Sequence, residues 1–255
     1  MTDDGSMPLL DHLVELRQRL FYSAIGFVIA FAACLYFSQE LFNFLIQPLA
    51  ALWEDQPNRR IIFTALHEQF FTQIRIAFFT AAFFAFPVVA VQLWMFVAPG
   101  LYKNEKRAFL PFLIATPVLF FLGAALLYYI VLPVAWQFFI SFEQSASDSG
   151  LAVESLPSAK EYLSLSLQLI FAFGLAFELP VVLILLTRAG LVSIATLRKQ
   201  RRYAIVLAFV AAAILTPPDP VSQVGLALPI ILLYEISILL AAAWERKRER
   251  EEARS

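Results

Sequence analysis

The sequence predicts an all-α polytopic membrane protein that crosses the bilayer six times, and three observations carry the prediction. The 255 residues are 60% hydrophobic and only 15% charged, with a mean hydropathy of +0.74, outside the range of soluble domains. Apolar runs recur at lengths near the roughly 20 residues that a helix needs to cross hydrocarbon. The charges fall between those runs and are segregated by sign, a pattern that the formal net charge of -1 hides. No basic excess remains for nucleic acid.

Taken in order, the chain starts acidic, MTDDGSMPLLDHLVELRQRL. With no basic stretch before a short apolar core, it reads as neither a secretory signal nor a transit peptide, so the first helix is expected in the mature protein. Leu9, Leu13, Leu16 and Leu20 share one helical face, with His12, Glu15 and Arg19 elsewhere around it. This is an amphipathic lead-in to the first span, 20–37. Further spans are read at 76–98, 108–140 and 162–187. The loop 38–69 carries an amphipathic piece, Leu41, Phe42, Phe44 and Leu45, ending near Pro48, which predicts a short interfacial helix. The Ser-rich, acidic stretch 141–161 is expected to be a solvated loop.

Two last runs, 203–216 and 221–244, are separated only by Pro217, Pro218, Asp219 and Pro220, which cannot continue a helix. They predict a tight hairpin in which the last two helices are short. Tyr203 to Thr216 makes about 21 Å of helix against a hydrocarbon core of about 30 Å, which implies local thinning or a recess. Residues 245–255 are almost wholly charged and read as a helix extension that frays into a solvated cytoplasmic tail. No internal repeat is visible, and 1–255 reads as a single membrane domain.

Six crossings put both termini on one side. Fifteen of the 19 basic residues lie in the segments on that side, leaving Arg59, Arg60, Arg75 and Lys160 on the other. The positive-inside rule makes both termini cytoplasmic.

Catalytic apparatus is not legible. His67 and Glu68 open HEQFF, which lacks the second histidine of a zinc-protease helix. There is no Gly-x-Ser-x-Gly elbow and no phosphate-binding Gly-rich loop. The single cysteine, Cys34, reads as packing. The expectation is a non-enzyme without metal or cofactor. Acids at membrane depth are more informative, because a carboxylate there must be paired, hydrated or protonated. Glu178 stands inside the fourth span, two residues before Pro180, and reads either as a structural acid bonded within the bundle or as a carboxylate facing a watery recess or a partner's polar side chain. Glu235 lies nearer the cytoplasmic end of the last span, where snorkelling would hydrate it. Glu105, in the short connection FVAPGLYKNEKR, is an acid among three bases. It would accept a guanidinium from a peptide or bridge locally to Lys106 or Arg107.

Four segments in order, HLVELRQRL (12–20), FVAPGLYKNEKR (96–107), FGLAFELPV (173–181) and LTPPDPVSQ (215–223), resemble the successive signatures of the TatC family. The resemblance implies a non-enzymatic receptor subunit of the twin-arginine translocation system. Such a subunit sits in the cytoplasmic membrane of a prokaryote and, with TatB and TatA or one dual-function protein, moves folded proteins bearing a twin-arginine signal at the expense of the proton-motive force. By matching positions, the resemblance implies that Glu15 and Glu105 face the signal's arginines, that Phe96, Pro99, Leu101 and Tyr102 shape the surrounding patch, and that Arg17 supports its first segment. Glu178 would line a concave face in the membrane, and Thr216 and Gln223 would contact a TatA or TatB helix. Pro48 and Asp219 would shape their loops. A proton-coupled small-solute transporter using Glu178 is the alternative that composition alone allows, although it predicts related halves that are not visible here.

Overall fold

The computed structural model describes residues 9–54, 59–101, 106–143, 156–216 and 219–252. The helices are α1 (Leu9–Tyr36), α2 (Ser38–Ala50) with a 3-10 turn at Ala51–Trp53, α3 (Glu68–Leu101), α4 (Lys106–Leu126), a π-helical turn at Leu127–Val131, α5 (Leu132–Ile140), α6 (Ala159–Phe177), α7 (Leu179–Arg188), α8 (Ile194–Lys199), α9 (Arg201–Leu215) and α10 (Pro220–Glu252). Among the described residues the only β-type pairing is an isolated parallel bridge between Ile62 and Ser158.

Among the described residues five helical runs are long and apolar enough to cross a bilayer: Leu13–Tyr36, Glu68–Leu93, Pro111–Ile140, Ala159–Arg188 and Pro220–Arg246. The sixth apolar run is α9, whose 15 residues make about 22 Å of helix, well under the roughly 30 Å of hydrocarbon. The expectation that both of the last helices are short is corrected, because α10 runs for 33 residues. After Pro229 its sequence has neither Gly nor Pro, so nothing stops the helix and it continues into the charged tail.

Prolines set the breaks in the other runs. Pro133 has no N–H for the carbonyl of Tyr129 four residues back. The chain answers with the π turn, in which Leu132 N–H donates to Leu127 O. Pro180 divides the expected fourth span at Glu178, whose ψ has relaxed to -12° and whose N–H donates to Leu175 O at 3.1 Å. At the end of α7, Gly190 has φ +71°, Gly190 N–H donates to Thr187 O and Leu191 N–H to Leu186 O. This is the Schellman pattern that favours glycine.

The chain packs as two compact units, Met1–Leu41 with Gln73–Pro117, and Phe42–Thr72 with Val118–Ser255. In the first, α1 and α3 meet through small residues, with Cys34, Ala77 and Ala81 buried among Phe27, Phe31 and Leu41. Phe27 adds an edge-on contact to Phe78, ring centroids 5.2 Å apart. In the second, α9 and α10 form the expected hairpin and α7 packs on α10. The core gathers Leu127, Phe173, Phe177, Ala212 and Leu226. Tyr234 on α10 ties down α8 by donating to Leu197 O at 2.8 Å.

Two glycines sit at close helix contacts in the second unit. A Cβ on Gly123 would stand 2.6 Å from Phe173 O and 2.8 Å from the Phe177 ring, and one on Gly174 would meet the Phe120 ring at 2.6 Å. Small residues of this kind let membrane helices touch backbone to backbone. The two positions differ in what must yield: a backbone carbonyl at Gly123, a side-chain ring at Gly174. Overpacking costs typically 1–3 kcal/mol. Gly123→Ala is therefore expected to lower the melting temperature in detergent by more than Gly174→Ala does, and equal shifts for the two would contradict this packing.

Candidate functional site

Four places hold the residues singled out from the sequence. The first is the contact between α1 and the last turns of α3. Arg19 donates from Nη2 to Glu15 Oε1 at 3.1 Å and from Nη1 to Gln92 Oε1 at 3.1 Å, with a weaker contact to Met95 Sδ at 3.6 Å. Glu15 and Arg19 are an i, i+4 ion pair, and the side chains are 21% and 24% exposed. Gln92, Met95 and Phe96 share one face of α3 by their i, i+3, i+4 spacing. Arg19 thus draws the Glu15 carboxylate onto the α3 face that carries Phe96, which is half-buried. Among the described residues Arg19 is the one partner of Glu15, and it engages Oε1. Arg17 is exposed on another face of α1. Pro99 and Leu101 belong to the last turn of α3, but their side chains lie outside the described residues, as do Tyr102 and Glu105 altogether.

The second place is the α6–α7 break. Glu178 is 8% exposed and caps both helices, accepting from Val182 N–H through its backbone carbonyl at 3.0 Å. Gly174, one turn earlier, lets α6 approach Phe120, so the break and its acid are held inside the unit. Glu235, by contrast, has a partner near its own end of α10: Arg201 at 2.9 Å.

The third is the α9–α10 turn. Thr216 ends α9, donating from Oγ1 to Ala212 O at 2.9 Å, and is buried. Asp219 is the N-cap of α10: its Oδ1 accepts from Ser222 N–H at 2.7 Å, and Pro220 fills the first helical position, where no N–H is needed. Asp219 is itself 8% exposed, and its Oδ2 has no hydrogen-bond partner among the described residues. Gln223 is half-buried and makes a long contact from Nε2 to Phe209 O, 3.5 Å. The turn thus gathers a hydroxyl, a carboxylate and an amide beside a helix too short to cross the membrane.

The fourth is α2. Pro48 lies inside the helix, so the carbonyl of Phe44 loses its i+4 donor. Tyr128 supplies the missing donor, its O–H going to Phe44 O, while its ring stacks on Phe44, centroids 4.5 Å apart and planes within 7°. Tyr162 O–H donates to the next carbonyl, Leu45 O, at 3.0 Å. One tyrosine from another element therefore repairs what the proline exposes, a second fastens the neighbouring carbonyl, and the π turn at Pro133 contains the first of them.

One polar hub escaped the sequence reading. Glu68, there noted only as part of an incomplete zinc motif, is 5% exposed. It accepts from Thr64 N–H at 2.7 Å, Thr64 Oγ1 at 2.6 Å, Ala65 N–H at 3.2 Å and Ser158 Oγ at 2.8 Å. It locks the loop before α3 to the start of α6 beside the Ile62–Ser158 bridge. Neither half of this was legible: Glu68 opens α3 four residues after Thr64, outside the three-residue spacing of a capping box, and Ser158 is remote in sequence. His67 next to it is exposed and packs edge-on to Phe71 at 5.9 Å. Among the described residues no cluster of three or more His, Cys, Asp or Glu is placed to hold a metal ion.

Fold and site together define a polytopic helical membrane protein whose polar groups are concentrated at helix breaks and helix ends. A family model described as Sec-independent protein translocase protein (TatC) matches residues 11–229. The chain is 53% identical over 246 residues to the Sec-independent protein translocase protein TatC of Magnetococcus marinus, covering 96% of this chain and 88% of that one. It is 36% identical over 253 residues to the protein of the same description from Escherichia coli K12, covering 99% and 95%. A crystal structure of a twin arginine translocase receptor, TatC, in DDM superposes with a TM-score of 0.79 at 40% identity, covering 90% of this chain and 99% of that one. The chain belongs to the TatC family and is a multi-pass membrane component of a protein translocase.

The repair at Pro48 makes a prediction. Leaving a buried carbonyl without its donor costs roughly 1–3 kcal/mol, so Tyr128→Phe is expected to destabilise the protein in a detergent melt. In a Pro48→Ala background residue 48 regains an N–H for Phe44 O, and the same Tyr128→Phe change should then cost clearly less. Equal losses in both backgrounds would separate Tyr128 from Pro48.

Proposed function

We propose that this chain is the signal-peptide receptor of a twin-arginine translocase. It lies in the cytoplasmic membrane of a prokaryote with both termini inside and binds the arginine pair of signal peptides on folded proteins. With TatB and TatA, or one protein serving as both, it passes them across at the expense of the proton-motive force. The observation that carries this reading is Glu15, held by Arg19 against the α3 face that bears Phe96. A carboxylate fixed at a helix–helix contact with one oxygen engaged has a ready geometry for a second guanidinium, which binds carboxylates through charge-assisted, fork-like hydrogen bonds. Glu105 is assigned the companion acid from its place in FVAPGLYKNEKR, with Pro99, Leu101 and Tyr102 shaping the patch and Arg17 supporting it. The solved relative described as a twin arginine translocase receptor supports the same assignment.

Thr216, Gln223 and the orphan Oδ2 of Asp219 support a partner contact at the α9–α10 turn. Interhelical polar contacts in membranes average about 0.6 kcal/mol and reach roughly 2, so several together make a selective and reversible dock for a TatA or TatB helix. Glu178, buried at the α6–α7 break, is assigned to the same system as a polar group within the bundle.

The test is a double-mutant cycle on signal-peptide affinity. Truncating one side of a buried charge pair costs about 2–5 kcal/mol, and this half-exposed site should give the lower end or less. Glu105→Gln or Glu15→Gln is expected to weaken binding at least several-fold, about 1.4 kcal/mol corresponding to tenfold. Changing the signal's Arg-Arg to Lys-Lys should then cost the wild type far more than either variant. Additive losses, in protein that still co-purifies with TatB, would mean that the arginines are read elsewhere.

A further inference from the structure

A cavity of about 210 Å³ opens in the second unit where α5 ends and α6 begins. Its walls include Trp53, Trp136, Phe139 and Tyr162, with Ser158 and Glu161 as the polar lining. Trp136 leans on Tyr162 and on Phe139 with centroids 5.0 and 5.9 Å apart, so the aromatic wall is a packed assembly. The volume is below the roughly 300–1,000 Å³ of pockets for drug-sized ligands. It suits a group of a few heavy atoms.

The lining chemistry selects that group. Aromatic faces attract cations, and one of these rings already does so: the Arg59 guanidinium stands 5.7 Å from the centroid of Trp53. Arg59 is itself ion-paired with Glu143, so its charge is balanced. Glu161 lies at the exposed edge of the cavity. Behind Ser158, which donates its proton to Glu68, stands a second carboxylate, and the oxygen of Ser158 keeps its accepting lone pairs. A cation with N–H donors satisfies these acceptors, whereas a quaternary ammonium meets only the rings.

Position selects the source. The cavity lies at the shared end of two candidate spans, Pro111–Ile140 and Ala159–Arg188, at the level where lipid headgroups lie and where Trp and Tyr are enriched. Leu49, Ile140 and Leu165 add apolar lining that suits the carbon stem of a headgroup. We infer that this cavity is a binding site for the primary ammonium headgroup of a membrane lipid, held by the aromatic wall and by Glu161 with Ser158.

The experiment is native mass spectrometry of the full chain, delipidated in detergent and titrated separately with phosphatidylethanolamine, phosphatidylcholine and phosphatidylglycerol of matched acyl chains, with free ethanolamine as competitor. The wild type is expected to bind phosphatidylethanolamine at least fivefold more tightly than either other lipid. Glu161→Gln should erase that preference and Glu161→Asp should keep part of it. Both variants should melt as the wild type does, since the side chain is exposed. Free ethanolamine should fail to displace the lipid at concentrations equal to it. Equal binding of the three lipids, an undiminished preference in Glu161→Gln, or displacement by equimolar ethanolamine would each overturn the assignment.

Discussion

Hydrocarbon offers a backbone no hydrogen bonds, and this chain nevertheless interrupts its membrane helices with proline. At Pro48, Pro133, Pro180 and Pro220 the missing N–H is accommodated within the protein. Pro48 exposes Phe44 O, and Tyr128 covers it. Pro133 is absorbed by a π turn. Pro180 turns the chain at Glu178, and Pro220 sits where a helix needs no donor, behind the Asp219 cap. Glu178, Thr216, Asp219 and Gln223 are found at two of these breaks, whereas Glu15 lies at the α1–α3 contact. A break requires polar groups for structural reasons, and it places them at depths where a uniform apolar helix would have none.

The second regularity is that long cations brace helix ends. Arg19 joins α1 to α3 through Glu15 and Gln92, Arg201 pairs with Glu235, and the Arg188 guanidinium lies 3.8 Å over the Trp244 ring. Individually such pairs are worth little at a wet surface. Their effect is orientational: Arg19 fixes where the Glu15 carboxylate points, and that is what a receptor for a short basic signal requires. Because the same acid already has an internal cation, an incoming guanidinium must share or displace it. On the proposed function, that sharing would make binding reversible.

Much of the fold was legible because hydrophobic run length and proline position are local signals. The break between α9 and α10, the shortness of α9 and the short helix that contains Pro48 followed from them. Reading both of the last helices as short extended the hairpin argument from α9 to its partner, although the span 221–244 and the charged helical extension read after it already add up to the long α10. What could not be read were partnerships across long sequence separations. Nothing near Tyr128 says that it faces Phe44, and nothing near Glu68 names Ser158. Glu15 was placed by resemblance, and the structure adds its contacts with Arg19 and α3; the surroundings of Glu105 lie outside the described residues.

Contact mapping tests most directly the proposed role of the α1–α3 contact in reading the signal. A photoreactive phenylalanine analogue placed at Phe96, with one at the exposed Phe63 as control, would be irradiated in membranes with a labelled twin-arginine signal peptide. The account predicts crosslinks at position 96 that fall away when the arginines are replaced by lysines, and none at position 63. Crosslinks at 96 indifferent to that replacement, or crosslinks at 63 in their place, would contradict it.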